Sequence, residues 1–328
     1  MNVVLTGATG FLGYRTLERL VELQEVSSIT AVGRTIKPTH HIKHEKVNYV
    51  MGDLSNAHFV NEVVKGADVI IHAAALSSPW GKTADFKNAN VVSQQHLIQA
   101  AKEYGVKKYI YISTPSLYFE LKDKLNIKES DQLPKKFINA YAATKREAEI
   151  LLQSSGIPFV GLRPRALIGR GDTVIMPRLI RAFDEGKLKV IGNGKNIVDL
   201  TSVANVVDAI LLGLKAEGNA LNQLYNISNG EPVLLWEKVD LVLSKLGKTL
   251  PTKKVPFWLV KKVAGFMEFK SRITNQEEPA LTVYGVGTLT KSFTMDITKA
   301  KTLLGYVPRV STDEAVEEFV NWYKTTQA

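Results

Sequence analysis

The chain has 328 residues, 45% of them hydrophobic and 23% charged, the balance of an ordinary globular protein with room for one large domain or a large and a small one. It contains no cysteine, which excludes disulfides, thiolate metal sites and thiol nucleophiles, and its net charge of +10 favours anionic ligands such as phosphates. The basic residues are spread along the chain, so nucleic-acid binding is not expected. No apolar run approaches the eighteen or so residues of a membrane span, and the first apolar run begins within two residues of Met1; the expected location is the cytoplasm.

Val3-Val4-Leu5 leads into Thr6-Gly7-Ala8-Thr9-Gly10-Phe11-Leu12-Gly13 and then Tyr14–Val21, where Leu17, Leu20 and Val21 recur at helical spacing: strand, tight turn, helix. Glycines three residues apart let the backbone approach a diphosphate closely, and the helix N-terminus behind them favours an anion. A dinucleotide is therefore expected on Gly7, Thr9, Gly10, Phe11, Leu12 and Gly13. The Gly-x-x-Gly-x-x-Gly spacing carries one residue more between the first two glycines than the common dehydrogenase fingerprint, and an ordinary strand-to-helix turn is the plainer alternative.

Ser28–Arg34 reads as a second strand ending in a basic residue. In a doubly wound sheet an acidic side chain at that point binds the ribose of NAD, whereas an arginine accommodates the 2′-phosphate of NADP. Arg34, with Lys37 behind it, favours NADP(H), with NAD(H) the second choice; a solvated basic loop is the alternative. Val47–Leu54 reads as strand three, where Asp53 either accepts from the adenine amino group or caps a helix over 56–65. Ala67–Ala75 is a fourth strand running into Ala73, Ala74 and Ala75, small enough for a cofactor to lie against the backbone. His72 reads as a packed strand residue, because no ligand partner sits near it at metal spacing; no metal site is expected.

The loop 76–81, with Ser77 and a pocket-lining Trp80, precedes a helical pattern from about Asp85 to Tyr104. Lys107–Thr114 is a fifth strand ending in two hydroxyls, followed by a polar loop to about Lys136. The next helix carries Tyr141 and Lys145 one turn apart on one face, a spacing also common on solvated helices. A sixth strand, Pro158–Leu162, runs into Arg163-Pro164-Arg165. Beyond it the pattern loosens into helices near 177–186, 203–215 and 235–246, with short strands at 189–191 and 225–228. This rhythm predicts an α/β fold, a doubly wound parallel sheet binding its ligands at the carboxyl edge. Residues 1–165, with part of 195–230, would form the dinucleotide domain, and 166–328 a smaller, discontinuous α+β substrate domain.

A phenol with a pKa near 10 is a poor acid–base catalyst at neutral pH. A lysine ammonium at roughly 4.5 Å and an effective dielectric near 20 would attract its phenolate by about 4 kcal/mol, enough to lower the pKa by up to about 3 units. Tyr141 tuned by Lys145 would then donate a proton to a developing alkoxide, while Thr114 or Ser113 holds a carbonyl in line.

The glycine turn Gly7/Gly10/Gly13, Asp53-Leu54, Ala73–Ala75, Ser113-Thr114 and Tyr141-x-x-x-Lys145 resemble, in order and spacing, the extended short-chain dehydrogenase/reductase superfamily over nearly the whole chain. The resemblance implies Tyr141 as acid–base, Lys145 as its tuner and ribose anchor, and Thr114 as the carbonyl-holding hydroxyl, with Ser113 second. It implies cofactor contacts from Leu54 and Pro164 as well, and substrate contacts from Ser77, Trp80, Ser116 and Arg165. Ser113-Thr114-Pro115-Ser116, Leu162-Arg163-Pro164-Arg165, Asn193-Gly194-Lys195-Asn196 and Ile227–Pro232 are similar to the 3β-hydroxysteroid dehydrogenase-type branch, most of all to 2-alkyl-3-oxoalkanoate reductases. This implies reversible reduction of a β-keto or 3-keto group on a hydrophobic substrate.

Nucleotide-sugar epimerases and dehydratases resemble the chain too, but dehydratases carry Asp-Glu after the catalytic Thr where this chain has Pro115-Ser116. A non-catalytic NADPH-binding regulator is the alternative of another class. Homodimers form in the superfamily through the helices here near 85–104 and 137–155. The aromatic and lysine pattern of Phe257–Lys270 fits a core helix, a lid over an apolar substrate, or a peripheral membrane contact.

Overall fold

The computed structural model describes residues 1–36, 40–274 and 277–327; Lys37 lies outside them. Seven parallel strands form the main sheet: β1 (Asn2–Thr6), β2 (Ser28–Gly33), β3 (Val47–Met51), β4 (Val69–His72), β5 (Lys108–Ile112), β6 (Phe159–Pro164) and β7 (Gln223–Ile227). Their order is β7-β6-β5-β4-β1-β2-β3. After β3 the chain returns to place β4 beside β1, so the strand order reverses between these two. Such a switch point opens a crevice at the carboxyl ends of the strands.

Strand residues alternate between two cores because successive side chains point to opposite faces. Val3, Leu5, Ile71 and Ile110 pack with Leu17 and Leu20 of the helix Phe11–Leu20 and with Val206, Ile210 and Leu214 of the helix Val203–Lys215. Val4, Ile70, Tyr109 and Tyr111 face the other way, onto Val60 and Val64 of Ala57–Val64, Leu97 of Ser93–Glu103, and Ala148 and Leu152 of Ala140–Gln153. Both faces are covered, and the parallel sheet requires that.

The second half is less regular. A four-stranded sheet in the order 233–234, 197–198, 293–295, 124–127 sits apart from the main one, and helices Ile175–Asp184, Leu235–Lys245 and Thr312–Gln327 surround a third core around Trp236 and Phe319. The polar stretch after Thr114 is therefore not all loop: Lys124–Ile127 pairs with Phe293–Met295, a partner that no local pattern around residue 124 reveals. The helical pattern from 85 to 104 is also interrupted. Thr83–Lys87 and Ser93–Glu103 are α-helical, and Asn88–Val92 between them is a wider π-turn. Among the described residues no helix is long and apolar enough to cross a membrane.

Candidate active site

The glycine turn leaves space for a ligand on one side only. Gly7 adopts φ +73°, and a Cβ there would stand 2.7 Å from the Ala74 nitrogen and 2.9 Å from the Ala73 carbonyl carbon, so the turn lies directly against the end of β4. A Cβ on Gly13 would come within 2.0 Å of the Gly7 oxygen, which lets the helix start lie flush on the turn. Gly10 is different: among the described residues its only near neighbour would be the Gly7 oxygen at 3.2 Å. It is also the N-cap of the helix Phe11–Leu20 and brings no capping side chain, so the first-turn N–H groups around Phe11, Leu12 and Gly13 remain available to an anion. This cradle fits a dinucleotide diphosphate. Thr9 turns its side chain onto Gly33, where a Cβ would meet its Oγ1 at 2.6 Å.

Arg34 follows β2 and is exposed. Nearby, the Asp53 carboxyl is held below the usual range, first by the Ser55 N–H it accepts at 2.8 Å and by the Ser55 hydroxyl, and less strongly by the Arg34 charge. The two thus share one corner of the carboxyl edge. Asp53 is not the cap of the following helix. That cap is Asn56, which accepts from the Phe59 N–H at 3.2 Å. Leu54, Ala73 and Ala74 are partly buried and Ala75 is exposed, while Pro164 is buried at the end of β6.

The helix Ala140–Gln153 starts at Asn139, whose Oδ1 accepts from the Ala142 N–H at 2.9 Å. Tyr141, Lys145 and Glu149 follow at four-residue steps and share a face. The Ser77 and Thr114 hydroxyls lie close enough to the Tyr141 hydroxyl to act on its ionisation. Burial raises its pKa above the ordinary phenol value, and those two hydroxyls oppose the rise. The expected depression by Lys145 is absent. The Lys145 Nζ donates at 2.6 Å to the Ile112 carbonyl and lies 4.1 Å from the Tyr111 ring centre, so its charge is spent on β5. Burial brings Lys145 down to about 7, with Glu149 acting against that shift.

Thr114 and Ser113 diverge. Ser113 Oγ donates at 2.6 Å to Glu149, which also receives two 2.7 Å hydrogen bonds from Arg163, and Arg163 in turn donates to the Tyr118 hydroxyl. Thr114 instead faces Tyr141, and its Oγ1 donates at 3.1 Å to Ser116, whose Oγ lies 2.8 Å from the Tyr284 hydroxyl. His72 is a packed strand residue: its Nδ1 lies 2.6 Å from the Thr6 hydroxyl, and burial followed by the Lys145 charge takes it down to about 3.

Beside these hydroxyls lies a cavity of about 540 Å³, lined among others by Trp80, Phe86, Ile138, Val283 and Tyr284, with Lys82, Glu268 and Arg272 as its charged groups. Trp80 stands there with the Arg272 guanidinium 5.3 Å from its ring. Ser77 and Ser116 join the hydroxyl cluster. Arg165 is engaged elsewhere, 4.7 Å from the Phe293 ring centre and close to Asp199.

Several residues escape sequence reasoning, among them Lys82, Glu149 and Arg272, and two more tie distant segments together. Asn90, in the π-turn, accepts from the Leu76 N–H at 2.8 Å and donates to the Leu76 carbonyl at 3.2 Å and the Thr144 hydroxyl at 3.1 Å, clasping the loop after β4 to the Tyr141 helix. The interruption of a long helical pattern by Asn88-Ala89-Asn90 is the one local signal of it. Tyr284 lies 168 positions from Ser116 and has no signal at all.

A family model for the NAD dependent epimerase/dehydratase family matches residues 3–228. The chain is 32% identical to a 3beta-hydroxysteroid-dehydrogenase/decarboxylase, isoform 1, of Arabidopsis thaliana, covering 99% of this chain and 80% of that one. It is 31% identical to a 2-alkyl-3-oxoalkanoate reductase of Shewanella oneidensis, covering 96% and 84%. Among solved structures, a UDP-glucuronic acid 4-epimerase from Bacillus cereus in complex with NAD superposes over 100% of both chains with a TM-score of 0.78 at 23% identity, a likeness of fold. The family match runs from β1 through the glycine turn and the Tyr141/Lys145 helix to the residue after β7, so the chain belongs to the NAD dependent epimerase/dehydratase family and is an NAD(P)-dependent enzyme of the extended short-chain dehydrogenase/reductase type.

Proposed function

We propose that the protein interconverts a ketone and a secondary alcohol on a hydrophobic substrate resembling a β-keto acid or 3-ketosteroid, with NADP(H) preferred. The observation that carries this reading is the meeting of the Tyr141, Thr114 and Ser77 hydroxyls beside an aromatic-lined cavity. A phenol kept protonated by burial is a competent donor to a carbonyl oxygen as it becomes an alkoxide, and the Thr114 hydroxyl is set to hold that oxygen. Lys145, Tyr141 and the glycine turn would hold the cofactor, with Pro164 and Ala73–Ala75 against it and Arg34 at the 2′-phosphate. When bound there, a reduced nicotinamide supplies hydride. Lys82 and Arg272, the basic groups of the cavity, suit a carboxylate on an otherwise apolar substrate. In this reading residues 1–165, with part of 195–230, form the cofactor half, and most of 166–328 the substrate half.

The test is NADPH oxidation with a panel of long-chain β-keto acids and 3-ketosteroids, run beside NADPH and NADH titrations of the native protein and Arg34→Ala. Ketone-dependent oxidation, lost in Tyr141→Phe with NADPH affinity retained, supports the proposal. Conversion of UDP-sugars without net NADPH consumption would replace it with the epimerase reading, and an NADH preference unmoved by Arg34→Ala would remove the phosphate assignment.

A further inference from the structure

The helix Phe257–Ile273 is apolar on two opposite sides. One side is accounted for: Ala264 is buried against Ile191 and Val286, and Phe257 and Val260 pack on the same cluster. The other side is open, with Phe266 68% exposed, Ile273 67%, Trp258 61% and Phe269 61%, together with Leu259 and Val263. At 3.6 residues per turn these six positions fall within roughly 140° of the circumference, directly opposite Ala264. A soluble surface rarely gathers so many large apolar side chains in one stripe.

Charge identifies what would cover it. Lys262 and Lys270 stand within the apolar stripe, Lys262 with its Nζ 5.4 Å from the Trp258 ring centre, and Lys261 and Arg272 flank it. The one acidic residue of the helix, Glu268, is turned inward to accept from the Val283 N–H at 2.8 Å. The whole chain carries +10. A two-fold contact between copies would set these cations against their own equivalents. An anionic interface with an apolar interior satisfies both the aromatics and the lysines.

We infer that the exposed face of Phe257–Ile273 docks on an anionic lipid bilayer, lying in its surface without crossing it. Glu268 and Arg272 of the same helix line the cavity beside Tyr141, so docking would present that cavity to molecules dissolved in the lipid. This last step rests on the proposed hydrophobic ketone substrate, whereas the docking itself does not.

The full-length protein should co-sediment with phosphatidylcholine vesicles containing phosphatidylglycerol, much less with phosphatidylcholine alone, and the association should weaken with added salt. Phe266→Ser/Phe269→Ser changes exposed side chains and should reduce vesicle affinity by about tenfold or more, with circular dichroism and NADPH binding unchanged. Lys262→Glu/Lys270→Glu should do the same. Failure to bind anionic vesicles, or binding that survives both double variants, overturns the inference. So does a native dimer that Phe266→Ser/Phe269→Ser dissociates, which would assign the face to a second copy. No turnover is measured, so either outcome leaves the ketone reading to its own test.

Discussion

The Ser113 hydroxyl is 2.6 Å from Glu149, a carboxylate already clamped by Arg163, while its neighbour Thr114 faces Tyr141. The two residues follow the end of β5 and reach different turns of the helix Ala140–Gln153, so two hydroxyls that look equivalent in sequence have different tasks. Thr114→Val should lower kcat by about 10²–10³-fold, the usual cost of losing a hydrogen-bond donor to a developing oxyanion, with little change in melting temperature. Ser113→Ala should do the reverse: near-native turnover, but roughly 1–3 kcal/mol of stability lost from a buried charge-assisted hydrogen bond, read by urea unfolding. If Ser113→Ala is the slower enzyme, the assignment of the two hydroxyls is inverted.

The three hydrogen bonds of Asn90 hold Leu76 and Thr144 together. Asn90→Ala leaves the Leu76 N–H and carbonyl without these partners and should cost about 1–3 kcal/mol. Because the loop it anchors carries Ser77 to the Tyr141 hydroxyl, kcat should fall as well, while KM for NADPH holds. Urea titration and steady-state kinetics on the same preparation separate the two effects.

Lys145 makes stability depend on pH in a defined direction. Its folded pKa is depressed to about 7, against about 10.4 for an unperturbed lysine. Between those values the unfolded chain holds a proton that the folded one has released, so stability rises with pH across that window; below about 7 both states are charged and the desolvation cost is fully present. In the absence of cofactor, Lys145→Met should therefore flatten the rise in melting temperature between about pH 7 and pH 10. Equal slopes in the two proteins would contradict the burial of the charge.

Two glycines of the turn should respond differently to a methyl group. Gly13→Ala puts a Cβ 2.0 Å from the Gly7 oxygen, a backbone atom that cannot step aside, and should yield little soluble protein. Gly10→Ala meets, among the described residues, only the Gly7 oxygen at 3.2 Å and should fold with a near-native circular dichroism spectrum, yet bind NADPH at least about tenfold more weakly, because its open side is where the diphosphate is proposed to lie. Native NADPH affinity in Gly10→Ala would move the diphosphate away from this turn.

Features carried by local repeats were determined by the sequence alone. Period-two and period-3.6 patterns specify the strands and helices of the main sheet, the glycine spacing specifies a close turn between β1 and the first helix, and a four-residue step puts Tyr141 and Lys145 on one face. Tertiary structure decided what those side chains meet. The Lys145 charge settles on the Ile112 carbonyl instead of on Tyr141 because β5 runs beneath that helix; Asn56, not Asp53, caps the helix after β3; and Tyr284 reaches Ser116 from 168 residues away. Hydrogen-bond partners and desolvation are properties of packing between distant segments, and only the folded chain brings those segments together.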